Sequence, residues 1–124
     1  MIIGIGTDIV DVSRIQRLLE KSPAFIEKVF CSTEITYCKD RANSAESFAV
    51  RFAAKEAMMK ALGTGWAEQI AFKDICISSD EKGKPGIELS GETKAFAEKL
   101  GVRNIHLSLS HERTMALAFV ILER

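Results

Sequence analysis

Residues 51–65 read RFAAKEAMMKALGTG, and the residues just before them, 48–50, are Phe-Ala-Val. From Phe48 to Leu62 there is no Gly or Pro, and strong helix formers dominate. Eleven of those fifteen residues are apolar. A surface helix carries a broad polar face, and this stretch does not. It is therefore expected to be a mostly buried helix from about Ser44 to Leu62, stopped by Gly63, around which the chain is organised. A buried helix needs partners for its charges. Glu56 and Lys60 stand one turn apart on one face, either as a local ion pair or aimed at a ligand. Ala49, Ala53 and Ala57 share that side, so another strand or a ligand can approach closely.

Outward from this helix, IIGIGTDIV at residues 2–10 reads as a strand. Alternation puts Ile3, Ile5, Thr7 and Ile9 on one face and Ile2, Gly4, Gly6, Asp8 and Val10 on the other. Asp8 follows two glycines on its own face, which leaves room beside its carboxylate. DVSRIQRLLEKS predicts a short helix before Pro23, and STEITYCKD another, capped by Ser32 or Thr33. DICISS and IELS are strands around the turn DEKGKPG, and GETKAFAEKLG is a helix. NIHLSLS and MALAFVIL are strands joined by a hairpin at HERT. The first alternates, with Ile105, Leu107 and Leu109 opposite His106, Ser108 and Ser110. The second is apolar on both faces and is expected to be central. The order of elements implies an α+β fold, a mainly antiparallel sheet packed on one long helix.

The 124 residues suit one domain, 1–124. Seventeen basic and seventeen acidic side chains cancel, which argues against nonspecific nucleic-acid binding. No apolar run approaches membrane-spanning length, and the N-terminus lacks the basic region of a signal peptide. Cys31, Cys38 and Cys76 are odd in number and contain no CxxC pair. Three reduced thiols in a cytoplasmic protein are the expectation, rather than a disulfide or a zinc site.

Two carboxylates, Asp8 and Glu56, suit a hard cation such as Mg²⁺, which takes oxygen ligands from few protein groups, water and phosphates. GIGTDI is not a dinucleotide fingerprint, because it lacks the third glycine and lies inside a strand. Gly63 and Gly65 are a helix stop and a turn, and also allow backbone N–H groups to approach a phosphate. His106 reads as a structural sheet histidine, whereas His111, at a strand end, is better placed for substrate.

Together GIGTDIVDVSRI, RFAAKEAMMKALGTG, GKP at 83–85 and HLSLSH at 106–111 resemble the holo-acyl-carrier-protein synthases, the small bacterial-type 4′-phosphopantetheinyl transferases. The similarity spans nearly the whole chain. It implies transfer of 4′-phosphopantetheine from coenzyme A to a serine of apo acyl carrier protein, with release of adenosine 3′,5′-bisphosphate, in support of fatty acid biosynthesis. It implies that Asp8 and Glu56 hold Mg²⁺ and that Lys60 neutralises the pyrophosphate of coenzyme A. The serine proton then goes to Glu56 or to a water on the metal, an alternative left open by the sequence. The resemblance also puts Arg51, Gly63, Thr64, Gly65, Lys84, Pro85, Gly86, His106, Ser108 and Ser110 near coenzyme A; His111 joins them on its place at a strand end beside Ser110. It implies a homotrimer with sites between subunits. On the first helix Arg14, Arg17 and Lys21 line one face. By the resemblance this helix docks the carrier protein; beside the stripe, Ile15 and Leu18 either anchor the helix to the body or add an apolar contact, and Phe25, just past Pro23, is either a further apolar contact or core. Two rivals remain: a Mg²⁺-dependent hydrolase built on the same carboxylates, and a noncatalytic coenzyme A or carrier-protein binding module.

Overall fold

The computed structural model describes residues 1–64 and 70–124. Strand β1 (Ile2–Asp11) leads into helices α1 (Val12–Lys21), α2 (Pro23–Val29) and α3 (Ser32–Lys39), then the long α4 (Ser44–Leu62). Strands β2 (Ile75–Ser79) and β3 (Pro85–Leu89) follow, then α5 (Gly91–Leu100), β4 (Asn104–His111) and β5 (Met115–Glu123). A single 3₁₀ turn, Phe72–Asp74, precedes β2. Among the described residues all strand pairing is antiparallel, in two sheets: β1-β5-β4, and the hairpin β2-β3. The expected α+β architecture is present, with β5 central as its double apolar character required.

Helix α4 has the predicted bounds, and Gly63 ends it in the left-handed conformation at φ 80°. Fourteen of its residues are buried, so it is the spine of the core. One face of β5, Ala116, Ala118, Val120 and Leu122, packs beneath it with no exposure. On its other side Phe48 and Phe52 meet Phe30, Phe25 and Phe72, with ring centroids 4.9–5.8 Å apart. Helix α2, seven residues with proline in its first turn, was not anticipated. Helix α3 is capped at Cys31, not at Ser32 or Thr33: the Glu34 carboxylate accepts the Cys31 N–H at 2.9 Å.

Lys55 and Glu34 form an ion pair at 2.8 Å with no solvent exposure on either side. Lys55 Nζ also donates to the carbonyls of Phe72 (3.1 Å) and Ile75, and Glu34 accepts the Ile77 N–H at 3.2 Å. Burial holds the Lys55 ammonium below its ordinary pKa, against the opposing pull of Glu34. Removing one partner of such a pair strands a buried charge, at a cost of about 3–5 kcal/mol. This cluster fastens α3, α4 and β2 together.

The thiol expectation is corrected here. Cys31 and Cys76 form a disulfide across a sequence separation of 45, with Cα atoms 5.9 Å apart. Spacing rules for cysteine detect local pairs, whereas this one arises because β2 runs past the N-terminus of α3. Cys38 is free and buried.

Candidate active site

The close contact of β1 with α4 builds the site. A Cβ on Gly4 or Gly6 would overlap the carbonyl oxygens of Ala61 and Ala57 respectively. Neither glycine has a positive φ, so they are there for space. The room beside Asp8 is thus filled by the backbone of α4, which rides directly on β1. That approach sets Asp8, from the strand, against Glu56 and Lys60, from the helix.

Lys60 Nζ donates to Asp8 Oδ1 and to the Thr7 carbonyl, both at 3.0 Å. The cation therefore bridges to the strand, in place of the local Glu56–Lys60 pair. Its side chain is 53% exposed and that of Asp8 only 12%, so one end of the pair opens to solvent. Burial raises the pKa of Glu56, and the negative charge of Asp8 raises it further, while Arg14 and Lys60 oppose both. Two carboxylates crowded together in a poorly solvated notch are an unbalanced arrangement. Their donor set, two hard oxygens from separate elements, fits Mg²⁺. The arrangement is suited to stabilising charge on a phosphoryl group.

Arg14 lies close enough to influence Glu56, and its guanidinium sits 5.9 Å from the Phe52 ring centre. Sequence reasoning placed it only on a docking face; its place within the DVSRI match was the available signal. Arg17 and Lys21 are exposed on α1, as expected. Ile15 is fully buried, which corrects its assignment to a partner surface: it anchors α1 to the core. Leu18 is half-buried and packs on the core. Phe25, also half-buried, meets Phe30 edge-on and Phe52 at a tilt.

The residues expected near coenzyme A fall in several places. Arg51 lines a cleft of about 470 Å³ between α3 and β2, with Tyr37, Cys76 and Ser78 among its walls. Arg51 is 8% exposed, donates to the Ser47 carbonyl at 3.1 Å and stacks 4.4 Å from the Tyr37 ring. Its buried Nε has no hydrogen-bond partner. Arg41, 3.9 Å from the same ring, was missed because nothing local in the sequence links it to Arg51. Lys84 closes the β2-β3 turn, where its N–H donates to Asp80 at 2.9 Å, and Pro85 and Gly86 begin β3 opposite Ser79 and Ser78. Gly63 is exposed with open space around it. The Thr64 N–H donates to the Met59 carbonyl at 3.3 Å. Gly65 lies outside the described residues.

His106, Ser108 and Ser110 are on the open face of the three-stranded sheet, whereas Asp8 points to α4 on the other. Within one chain the sheet separates them. His106 Nε2 lies 3.0 Å from Glu123, whose carboxyl this contact holds below its ordinary pKa. His111 Nδ1 lies 3.0 Å from Glu46, tying the end of β4 to the first turn of α4.

A family model described as the 4′-phosphopantetheinyl transferase superfamily matches residues 4–119. The holo-[acyl-carrier-protein] synthase of Halothermothrix orenii is 49% identical over 122 residues, covering 98% of this chain and 97% of that one. The structure of a holo-[acyl-carrier-protein] synthase from Neisseria meningitidis superposes with a TM-score of 0.92 at 37% identity, covering all of both chains. The Helicobacter pylori synthase, solved in complex with coenzyme A, gives a TM-score of 0.84 at 35% identity, covering 96% of this chain and 99% of that one. The chain belongs to the 4′-phosphopantetheinyl transferase superfamily, among its holo-[acyl-carrier-protein] synthases.

Proposed function

We propose that residues 1–124 act as one transferase domain that moves 4′-phosphopantetheine from coenzyme A to a serine of apo acyl carrier protein. The serine hydroxyl attacks the phosphorus that bears the pantetheine arm. The phosphoanhydride bond breaks, and adenosine 3′,5′-bisphosphate leaves. The observation that carries this reading is the meeting of Asp8, Glu56 and Lys60 where β1 crosses α4. Asp8 and Glu56 would hold Mg²⁺, which supplies positive charge to the pyrophosphate when bound. Lys60, half in solvent, turns from Asp8 to the leaving phosphate. The serine proton would pass to Glu56 or to a water on the metal. Phosphoryl transfer depends on such positioning and charge more than on covalent chemistry.

Arg51, with its unpartnered Nε in the cleft beside Tyr37, is suited to a phosphate of coenzyme A. Support for a homotrimer comes from the open sheet face, where Ile5, Ile9, Leu117 and Phe119 are each more than a third exposed. An apolar patch of this kind is the usual mark of an interface. His106, Ser108 and Ser110 share that face, so they serve a neighbour's nucleotide rather than their own chain's metal pair. The proposed setting is cytoplasmic fatty acid biosynthesis, as the family likeness implies.

The test is mass spectrometry of an apo carrier protein incubated with coenzyme A, Mg²⁺ and this protein. Transfer adds one phosphopantetheine to the carrier's serine. Release of free phosphopantetheine with an unmodified carrier would favour a hydrolase, and no change in either reactant would leave a binding module. Light scattering gives the oligomeric state; a fully active monomer would refute shared sites.

A further inference from the structure

The Cys31–Cys76 disulfide has no part in the transfer chemistry. Its surroundings nevertheless suit reversible thiol chemistry. Both cysteines are half-buried, within reach of a small reagent, and Thr33 Oγ1 lies 3.3 Å from each sulfur. Cys31 caps α3, and a helix N-terminus favours the thiolate. The nearest carboxylate, Glu34, is neutralised by Lys55 and spends its oxygens on Lys55, the Cys31 N–H and the Ile77 N–H. It therefore neither represses the Cys31 thiolate nor remains free to complete a metal site with the two sulfurs, although all three groups fall within 4.8 Å of one another. Cys38 is unlike them: burial pushes its thiol up to about 11, which leaves it inert. Disulfides in reducing compartments are characteristically transient or redox-sensing.

We infer that Cys31 and Cys76 are a reversible redox pair that responds to small-molecule disulfides and, when closed, braces the cleft holding Arg51. The Cys31 thiolate attacks a small-molecule disulfide, forming a mixed disulfide and releasing one thiol. The Cys76 thiolate then attacks the Cys31 sulfur and releases the second thiol. Two protein thiols are oxidised and the small disulfide is reduced, with both thiol protons passing to the released thiolates. Closure joins the first residue of the α3 cap to β2, and Cys76, Thr33 and Glu34 all line the Arg51 cleft. The parts of this inference that concern coenzyme A and a reducing compartment rest on the proposed function; the thiol–disulfide chemistry of the pair does not.

The full-length protein is equilibrated across glutathione–glutathione disulfide ratios, quenched, unfolded, alkylated and weighed. The expected result is a shift from three alkylated thiols to one, Cys38, with a Cys31–Cys76 linked peptide. Closing a loop of 45 residues should raise the melting temperature of the oxidised form by roughly 10 °C. Dithiothreitol should reverse the rise, and Cys76→Ser should show none. The apparent KM for coenzyme A should differ at least about twofold between the two forms. A persistent glutathione adduct, zinc retained by the reduced protein in place of a disulfide, or equal melting of both forms would overturn the redox pair. An unchanged KM would overturn the bracing of the cleft. If neither form uses coenzyme A, that failure falls on the transferase reading, and thiol count and melting still decide the redox pair.

Discussion

Gly6→Ala tests the contact on which the whole site depends. The added methyl group would overlap the Ala57 carbonyl oxygen and sit 2.7 Å from Ala61 N and 2.9 Å from Ala57 C, all backbone atoms of α4. Ordinary contact begins near 3.4 Å, and the overlap with the carbonyl oxygen decides, so the helix must retreat from β1 by about 1 Å or more. No flexible side chain is available to yield instead. Replacing Gly by Ala in an unstrained conformation normally stabilises by about 0.4–1 kcal/mol through the unfolded chain. Overpacking costs about 1–3 kcal/mol, and a clash of backbone with backbone belongs at the upper end, so the clash wins. The melting temperature should fall by roughly 5–10 °C. Retreat of α4 also draws Glu56 and Lys60 away from Asp8. A misplacement of about 1 Å can cost ~100-fold in rate, so transfer measured below the melting transition should drop at least about tenfold. Gly86→Ala is the control: its nearest neighbour would be Ser78 Oγ at 3.8 Å, and its φ is not positive. Its stability should stay within about 0.5 kcal/mol of wild type. If Gly6→Ala melts and turns over like wild type, β1 and α4 are not held by backbone contact, and the geometry argued for the metal pair fails with it.

Other outcomes follow from the same charges. Because the folded chain holds a proton on Glu56 more tightly than the unfolded chain, its contribution favours folding below the ordinary value of 4.5 and is lost as pH rises through the raised one. Glu56→Gln should therefore abolish transfer yet raise the melting temperature by about 1–2 °C near neutral pH, with the gain fading in acid; a gain independent of pH in thermal scans would contradict the crowding with Asp8. Lys60→Ala should change stability by less than about 1 kcal/mol, as for a half-exposed pair, but lower kcat by ~100-fold or more. A loss confined to melting would make Lys60 a structural ion pair only. Arg14→Glu should raise the apparent KM for carrier protein and lower kcat as well, since Arg14 also offsets charge at Glu56. Arg17→Glu, farther along α1, should act on carrier KM alone and more strongly at low salt; equal KM effects on both substrates would remove α1 from the docking surface.

What the sequence reveals about this molecule divides along the range of the interactions. Helix α4 and central β5 were legible because a long, mostly apolar run without Gly or Pro and a strand apolar on both faces need only the local sequence to be read. Gly4 and Gly6 were legible as space, but not as space for α4, since the identity of a neighbour 50 residues away leaves no local trace. The same blindness hid Cys31–Cys76, the Glu34–Lys55 pair and the preference of Lys60 for Asp8 over Glu56. Of the two roles open to Ile15, anchor or partner contact, the fold selects the anchor, since a helix with three exposed cations holds to the core by its opposite face. Helix α2 was lost because seven residues, about two turns opened by proline, are too short for a periodic signal. The family motifs bring Asp8, Glu56 and His106 into one functional list, yet the fold puts His106 across the sheet from the other two. Both can be right only if the list describes a site assembled from two chains. The exposed Ile5, Ile9, Leu117 and Phe119 on the histidine's own face give a second chain something to cover. A charged residue there, Phe119→Glu, should thus cost transfer without touching Asp8, Glu56 or Lys60. By light scattering it should leave single chains where the wild type forms the proposed trimer. Loss of transfer in an intact oligomer, or full transfer in single chains, would break the link between that face and the site.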